Sequence, residues 1–347
     1  MTRADVPGRV VVSAPTRVDF AGGWSDVPAF TNTESGIVTN AALSIRVHVE
    51  ALQGGAGIRL IAEDLGERVL ARHPAELHYD GRLDLHKAAV NMLPVGGGLE
   101  LLTRSDAPAG SGLGASGALD VALVAALAPL RREHYGREEL AELGFHLEAT
   151  ELRLEGGRQD QYAAALGGVH ELRFDADGVT VHPIPLSPEA KAELDAMLVI
   201  AYTGHSHFSA QTHRRVWAAY EHGTPDVMDA LRRIRDLGSA AAEALRSADW
   251  RALAGVMDEN WRHQQRLDAT ISTPGVRAVE QAARAAGAWG LKATGAGAGG
   301  CLAVLAAPAA RPAIVEAVTA AGARVLEARI DLDGVVIREE EAADSRA

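Results

Sequence analysis

The sequence predicts a two-domain α+β protein, and three observations carry this prediction. The chain has 347 residues, whereas a single hydrophobic core usually stops growing near about 250–300 residues. Short β-branched segments alternate with segments of helical periodicity along most of the chain. A proline-rich stretch, Pro183–Pro188, separates two such series and predicts a boundary between domains 1–185 and 186–347.

The first half is expected to form a sheet covered by helices. Its strands should include two hairpins, one linking Gly36–Leu52 to Gly57–Ala62 across a glycine turn and one built on Asp175-Ala-Asp-Gly. The predicted elements are strands Arg9–Ser13, Gly36–Leu52 and Gly57–Ala62, helix Leu83–Met92, strand Gly98–Thr103, helices Leu119–Leu130 and Glu138–Leu154, and strands Val169–Phe174 and Val179–Ile184.

The second half is expected to be a smaller α+β layer with one face of its sheet covered, because strands and helices alternate there. A charged tail is expected from Glu339 onward. The predicted elements are strand Ala196–Tyr202, helices from about Ser206 to Leu267, helix Gly275–Ala286, strand Cys301–Ala306, helix Pro312–Ala321, and strands Arg324–Ile330 and Gly334–Arg338.

Composition is that of a soluble globular enzyme, with 47% hydrophobic and 23% charged residues. The net charge of −12 argues against a nucleic-acid partner, which requires clustered lysine and arginine. The single cysteine, Cys301, excludes an internal disulfide and suits a reducing cytoplasm. No apolar leader and no apolar run of about 20 residues is present. We therefore expect a cytoplasmic protein without a membrane partner, either a monomer or a homodimer.

A glycine-rich stretch, Pro108–Ala118, is the strongest functional signal in the sequence. It contains four glycines, two serines and no charge, and it leads into an apolar helix. Glycines allow close approach to a ligand, and unpaired amides at a helix start form an anion site, usually for phosphate. The stretch matches neither the P-loop nor the dinucleotide fingerprint. We interpret it as another kind of phosphate loop, with a flexible turn before a core helix as the alternative.

Three other segments place charge or glycine in apolar surroundings. Ala14–Asp26 contains Arg17, and Gly156–Gly168 contains Asp160 between two glycine pairs. Lys292–Cys301 is a second glycine loop that leads into a strand. Charged groups are costly to bury unless they are paired or used on a ligand.

In this order the motifs 14–26, 108–118 and 292–301 make nearly the whole chain resemble the GHMP kinases, which include galactokinase, homoserine, mevalonate and phosphomevalonate kinases. The resemblance implies the two-domain GHMP kinase fold, with an N-terminal ribosomal-protein-S5-domain-2-like α/β domain and a C-terminal ferredoxin-like α+β domain. It also implies an ATP-dependent kinase that uses Mg²⁺. Within the family, Ala21–Trp24 and Gly156–Ala163 are most similar to the sugar 1-kinases for heptose 7-phosphate and fucose.

The resemblance assigns roles to individual residues. Asp160 falls on the base that takes the proton of the acceptor hydroxyl, and Arg17 on the group that stabilises the transferring phosphoryl. Ser116 and Glu148 fall on the magnesium ligands, and Asp26 on the group that binds sugar hydroxyls. From the residues alone, the alternatives are a surface carboxylate for Glu148 and an N-cap hydroxyl for Ser116, each equally compatible with the sequence. The alternative for Arg17–Asp160 is a buried ion pair between two loops, which the sequence favours less than a functional role.

The remaining contacts implied by the resemblance fall into two sets. The third motif should pack against the nucleotide loop and support it with backbone amides. Contacts to the nucleotide phosphates are expected from Pro108, Gly110, Ser111, Gly112, Leu113, Gly114, Ala115, Ser116 and Gly117. Contacts to the substrate are expected from Gly22, Gly23, Trp24, Asp26, Gly157, Gln159, Thr203, His207, Gly295, Ala296 and Gly297.

The expected acceptor is D-glycero-D-manno-heptose 7-phosphate, because of the Gln-Asp-Gln-Tyr run at 159–162. Gly23-Trp24 stands where galactokinases and mevalonate kinases carry Glu-His, which argues against those substrates. No basic cluster for a 7-phosphate is assignable from sequence, so a fucokinase-like or other free-sugar or cyclitol kinase is the alternative. A non-catalytic sugar- or nucleotide-binding protein is the alternative from another class. Histidines 205, 207 and 213 lack companion ligands at zinc spacing, which favours a substrate or surface role.

Overall fold

The computed structural model describes residues 8–204 and 209–340, and the strands in these ranges form two sheets. The strands are β1 (Arg9–Ala21), β2 (Gly36–Gln53), β3 (Ile58–Ala62), β4 (Glu67–Ala71), β5 (Leu99–Ser105), β6 (Val169–Asp175), β7 (Gly178–Pro183), β8 (Leu198–Tyr202), β9 (Gly290–Ala293), β10 (Cys301–Leu305), β11 (Arg324–Leu326) and β12 (Val336–Glu340). The helices are α1 (Pro28–Thr31), α2 (Asp84–Met92), α3 (Ala115–Leu127), α4 (Arg137–His146), α5 (Gln159–Leu166), α6 (Pro188–Met197), α7 (Ser209–Glu221), α8 (Pro225–Arg246), α9 (Trp250–Leu267), α10 (Pro274–Ala285) and α11 (Arg311–Ala320).

The larger sheet has the order β12-β1-β2-β5-β3-β4, and the first half of β2 also pairs with the β6–β7 hairpin. Helices α3, α4 and α5 pack together next to β1 and β2. Helix α3 is the most apolar of these, and ten of its residues are buried. The hairpin over Asp175 agrees with the prediction, since β6 and β7 pair antiparallel from His170–Pro183 to Asp175–Gly178.

Strand β1 is longer than predicted. It continues past Ser13 to Ala21, with register shifts against β2 after Pro15 and after Asp19. From Ala14 onward every residue of the strand is buried. Burial of both faces removes the alternation of apolar and polar residues by which a strand is recognised in sequence. Arg17 lies within this part of β1, between the two register shifts.

The predicted hairpin between 36–52 and 57–62 is wrong, because β5 lies between the two strands. Strand β5 pairs antiparallel with β2 and parallel with β3, and β3 forms its hairpin with β4, which was not predicted. The turn after β2 packs directly on the start of β5. A Cβ atom at Gly98 would lie 2.3 Å from the Gly54 carbonyl oxygen, so the absent side chain allows this approach.

The smaller sheet is antiparallel, with the order β11-β8-β10-β9. Strand β9 was not predicted, because its four residues run straight into the second glycine loop. The predicted boundary after residue 185 remains a prediction, but β12, expected in the second domain, pairs with β1 in the first sheet. Within the described ranges, every helix is too short or too polar to cross a membrane.

Candidate active site

A cavity of about 630 Å³ lies between the two glycine loops, the start of α3 and the start of α5. It brings together residues that are far apart in sequence. The predicted site residues that line it are Arg17, Gly23, Trp24, Asp26, Gly110, Ser111, Gly112, Gly114, Ala115, Ser116, Glu148, Gly157, Gln159, Asp160, Gly295 and Ala296.

The first glycine loop ends at the N-terminus of α3, and this end opens on the cavity. Gly110, Gly112 and Gly114 all have φ between +68° and +73°, where L-amino acids with side chains are strained. No side chain caps the first turn of α3 and no acidic residue occurs in it. Free amides and the positive end of the helix dipole therefore face the cavity, an arrangement that suits phosphate.

The second glycine loop packs on the first through backbone contacts. The Cys301 amide donates to the Ser111 carbonyl at 2.8 Å. A Cβ atom at Gly112 would lie 2.6 Å from the Thr294 carbonyl oxygen. The two glycine loops thus pack on each other, and support of a bound nucleotide by motif 292–301 stays a prediction.

A buried ion pair that was not predicted from the sequence connects the second loop to β1. The Lys292 ammonium lies 2.5 Å from the Asp19 carboxylate, and both side chains are at most 2% exposed. The Gly295 amide also donates to this carboxylate. The only sequence signal was that each charge lies in an otherwise apolar segment.

Asp160 lies in the first turn of α5, directly against the first glycine loop. Its carboxylate accepts a hydrogen bond from Arg17 Nε at 2.8 Å and lies 2.7 Å from Arg17 Nη2. Arg17 Nη1 also donates to the Gly112 carbonyl. A Cβ atom at Gly117 would lie 2.5 Å from Asp160 Cβ. One guanidinium thus connects the carboxylate to the first glycine loop, and the Asp160 side chain remains 23% exposed.

Glu148 lies in a π-helical turn, Leu147–Glu151, that follows α4. Such turns are rare and are frequent at functional sites; the sequence had predicted one continuous helix here. The Glu148 carboxylate accepts hydrogen bonds from Gln161 Nε2 at 2.9 Å and from the Ser116 hydroxyl. Burial, with repulsion from Asp160, raises its pKa to about 7.

Ser116 and Glu148 fit a magnesium ion. Both present hard oxygen atoms at the cavity wall and contact each other, and the Glu148 carboxylate is repelled by the nearby Asp160 anion. Ser116 is not the N-cap of α3, which is Gly114. Among the described residues no group of three or more His, Cys, Asp or Glu forms a metal cluster, and Mg²⁺ typically needs only one or two protein carboxylates.

Asp26 and Trp24 also line the cavity. Asp26 is 2% exposed and accepts from the Gln159 amide at 3.1 Å and from its side chain at 3.2 Å. Burial, with repulsion from Asp160, raises the pKa of Asp26 to about 6. Trp24 stacks on His213 with ring centroids 4.4 Å apart. The indole therefore belongs both to the core and to the cavity wall.

Two arginines that were not predicted as site residues also line the cavity. Arg153 follows the π-helical turn with φ of +53°, and Arg214 lies on α7. Unlike Arg17, neither has an ion-pair partner in the described part of the chain. They lie 61 positions apart on different elements, so no sequence spacing could have grouped them.

Some predicted contacts lie outside the cavity lining. Leu113 is a core residue, and Thr203 donates its hydroxyl to the Gly300 carbonyl. His207 and His205 lie outside the described residues. The predicted residues absent from the lining are Pro108, Leu113, Gly117, Gly22, Thr203 and Gly297.

Glu148→Gln is expected to stabilise the metal-free protein at neutral to alkaline pH. The pKa of Glu148 rises from 4.5 to about 7, so between these values the folded protein retains a proton that the unfolded chain has released. The stability contribution of Glu148 therefore falls as pH rises through this window. The variant should have a higher Tm than the parent at pH 8, and the difference should shrink toward pH 5.

Differential scanning fluorimetry with and without MgATP measures this effect. MgATP should stabilise the parent protein much more than Glu148→Gln. An equal MgATP shift in both proteins would contradict a metal-binding role for Glu148.

Comparisons with known proteins agree with this geometry. Residues 83–168 match the model for the GHMP kinases N terminal domain, and residues 241–324 match that for the GHMP kinases C terminal domain. The chain is 29% identical over 301 residues to D-glycero-alpha-D-manno-heptose 7-phosphate kinase of Campylobacter jejuni, covering 82% of this chain and 86% of that protein. It is 28% identical to the bifunctional fucokinase/GDP-fucose pyrophosphorylase of Arabidopsis thaliana, covering 86% of this chain and 30% of that protein.

Solved structures show the same likeness. A putative sugar kinase from Campylobacter jejuni superposes with a TM-score of 0.76 at 26% identity, over 96% of this chain and 98% of that one. A D-glycero-D-manno-heptose 1-phosphate kinase from Bacteroides thetaiotaomicron superposes with a TM-score of 0.79, over 96% and 100% of the two chains. At 24% identity the second is a likeness of fold.

Proposed function

This chain belongs to the GHMP kinases and is an ATP-dependent phosphotransferase, and from this premise we propose that it phosphorylates the anomeric hydroxyl of a sugar. The proposed acceptor is D-glycero-D-manno-heptose 7-phosphate, which would give the 1,7-bisphosphate. The observation that carries the proposal is the Asp160 carboxylate, which Arg17 holds beside the phosphate loop in the cavity that also contains Asp26.

The mechanism assigns one task to each of these groups. Asp160 takes the proton of the anomeric hydroxyl while the hydroxyl oxygen attacks the γ-phosphorus of ATP, and ADP leaves. Arg17 and the amides of the first loop stabilise the charge on the transferring phosphoryl group. Asp26 accepts hydrogen bonds from sugar hydroxyls. Magnesium held by Ser116 and Glu148 would supply neutralisation of the phosphate charge.

Two arginines favour an acceptor that carries a phosphate. Arg153 and Arg214 line the cavity without carboxylate partners in the described ranges, so their guanidinium groups are available to an anion. The Campylobacter relative is a 7-phosphate kinase by name. A free sugar such as fucose is the second candidate, supported by the similarity to the Arabidopsis enzyme.

We expect a panel of sugars and sugar phosphates, assayed by ADP release, to give the highest kcat/KM with heptose 7-phosphate. Arg153→Gln and Arg214→Gln should each raise the KM for this acceptor by roughly tenfold, because a hydrogen bond from a charged group contributes about 1.5–3 kcal/mol. The KM for ATP should change little.

Arg72→Gln is the matched control, since Arg72 is exposed and lies outside the cavity lining. It should leave both KM values unchanged. A preference for unphosphorylated sugars, with both cavity arginines dispensable, would show that the acceptor is a free sugar.

A further inference from the structure

The mechanism leaves one buried carboxyl group unused. Asp120 is the only charged residue of α3 and is 0% exposed in the middle of this apolar helix. The charged groups that act on it are Glu148 and Asp160, both of them anions. An ionised Asp120 would therefore be a buried charge without compensation, which proteins avoid.

The contacts of Asp120 contain a second irregularity. Gln161 Nε2 donates to Asp120 Oδ2 at 3.3 Å and to Glu148 Oε2 at 2.9 Å. Asp120 Oδ1 and Gln161 Oε1 are both buried, and neither has a hydrogen-bond partner in the described part of the chain. Two acceptors without a donor in one contacting pair indicate a missing proton, because buried polar atoms are nearly always paired.

We propose that Asp120 is a positioning residue held in its protonated form, with its O–H donated to Gln161 Oε1. The carboxylic acid and the amide then form a closed pair of hydrogen bonds, and all four polar atoms of the pair have partners. The amide is fixed with its N–H groups toward Asp120 and Glu148. If the amide were reversed, its oxygen would face the Glu148 carboxylate, which is repulsive.

Close helix packing supports this arrangement. A Cβ atom at Gly144 on α4 would lie 3.3 Å from both Asp120 Cβ and Gln161 Cγ. On α3, a Cβ atom at Gly117 would lie 3.1 Å from the backbone nitrogen of Gln161. The pair therefore lies in a tight crossing of α3, α4 and α5. Burial and repulsion from Glu148 both raise the pKa of Asp120, well above its usual range, which also favours the protonated form.

The consequence is a preorganised Glu148. Asp120 does not touch the cavity and acts through Gln161, which orients the Glu148 carboxylate toward the proposed cation position. This inference rests on the proposed metal-binding role of Glu148. Residues that orient metal ligands in this way typically change metal affinity or activity by about 10–100-fold when they are replaced.

The test compares Asp120→Asn with Asp120→Leu, two side chains of similar shape. The Asn amide can donate to Gln161 Oε1 as the protonated acid does, so Asp120→Asn should retain parental cation affinity. Asp120→Leu should weaken Mn²⁺ binding, measured by electron paramagnetic resonance with a non-hydrolysable ATP analogue, by about tenfold or more. Equal impairment of both variants, or parental affinity in Asp120→Leu, would overturn the proposal.

Three further measurements make the test independent of protein folding and of catalytic activity. The infrared difference spectrum of parent minus Asp120→Asn at pH 8 should contain the C=O band of a protonated carboxylic acid, and its absence would overturn the proposal. The double variant Asp120→Leu/Gln161→Leu should bind Mn²⁺ no more weakly than Gln161→Leu, because both act through one amide; additive losses would contradict this. If Glu148→Gln leaves Mn²⁺ affinity unchanged, the metal-binding role fails, while the infrared band still reports on Asp120.

Discussion

Asp160→Asn is expected to lower kcat by about 10²–10⁴-fold, the range that a positioned general base contributes. Asparagine retains the shape of the side chain and still contacts Arg17, but it cannot take the proton of the acceptor hydroxyl. The proposed ATP-binding surface, formed by the first glycine loop and the start of α3, should be unchanged. Affinity for ATP, measured by isothermal titration calorimetry, should therefore remain close to that of the parent.

A purely structural role of the Arg17–Asp160 pair predicts a different result. In that case the variant should lose stability and retain turnover in its folded fraction. Asp331→Asn is the matched control, because Asp331 pairs with Arg46 in another partly buried ion pair outside the cavity. We expect the control to lower Tm and to preserve kcat. Parental turnover in Asp160→Asn would refute the proposed mechanism.

Gly157→Ala is expected to lower kcat/KM for the acceptor by roughly 100-fold, a loss typical of a displacement of about 1 Å in a catalytic arrangement. A Cβ atom at this position would lie 1.9 Å from Asp26 Oδ2 and 2.2 Å from its Cγ. Asp26 is held by the Gln159 amide and side chain, so the clash must move either Asp26 or the start of α5. Steady-state kinetics with varied acceptor measures the loss.

The adjacent Gly156 provides an unusually close control. A Cβ atom there would meet only Glu148 Oε2, at 3.9 Å, which is ordinary contact. Gly156→Ala changes the same stretch of backbone by the same methyl group, so loop stiffening alone affects both variants equally. Similar kinetics in the two variants would indicate that the close contact between Gly157 and the Asp26 carboxylate is not needed for acceptor turnover.

The sequence was sufficient to predict the first glycine loop and the helix that follows it, because glycine spacing and an apolar run are local signals. The juxtaposition of Arg17 and Asp160 came from the family resemblance. The structure supplies the reason for this juxtaposition: Gly114 and Gly117 lack the side chains that would exclude the Asp160 carboxyl.

The features that were missed depend on contacts between distant segments. Insertion of β5 between β2 and β3 requires the Gly98 contact with Gly54, which has no local pattern. Arg153 and Arg214 were missed for the same reason, because only the folded chain brings them to one cavity. The end of β1 was predicted too early, since a strand buried on both faces loses its alternation.

The pairing of β12 with β1 means that both ends of the described chain contribute to the strand that carries Arg17. Val336–Glu340 covers the outer edge of β1, and Gly8 N donates to the Glu340 carbonyl at 3.1 Å. Before residues 336–340 have been synthesised, this edge of β1 lacks the strand that pairs with it and is open to pairing with other nascent chains. Strand β1 therefore gains its second neighbour only after residues 336–340 have been synthesised.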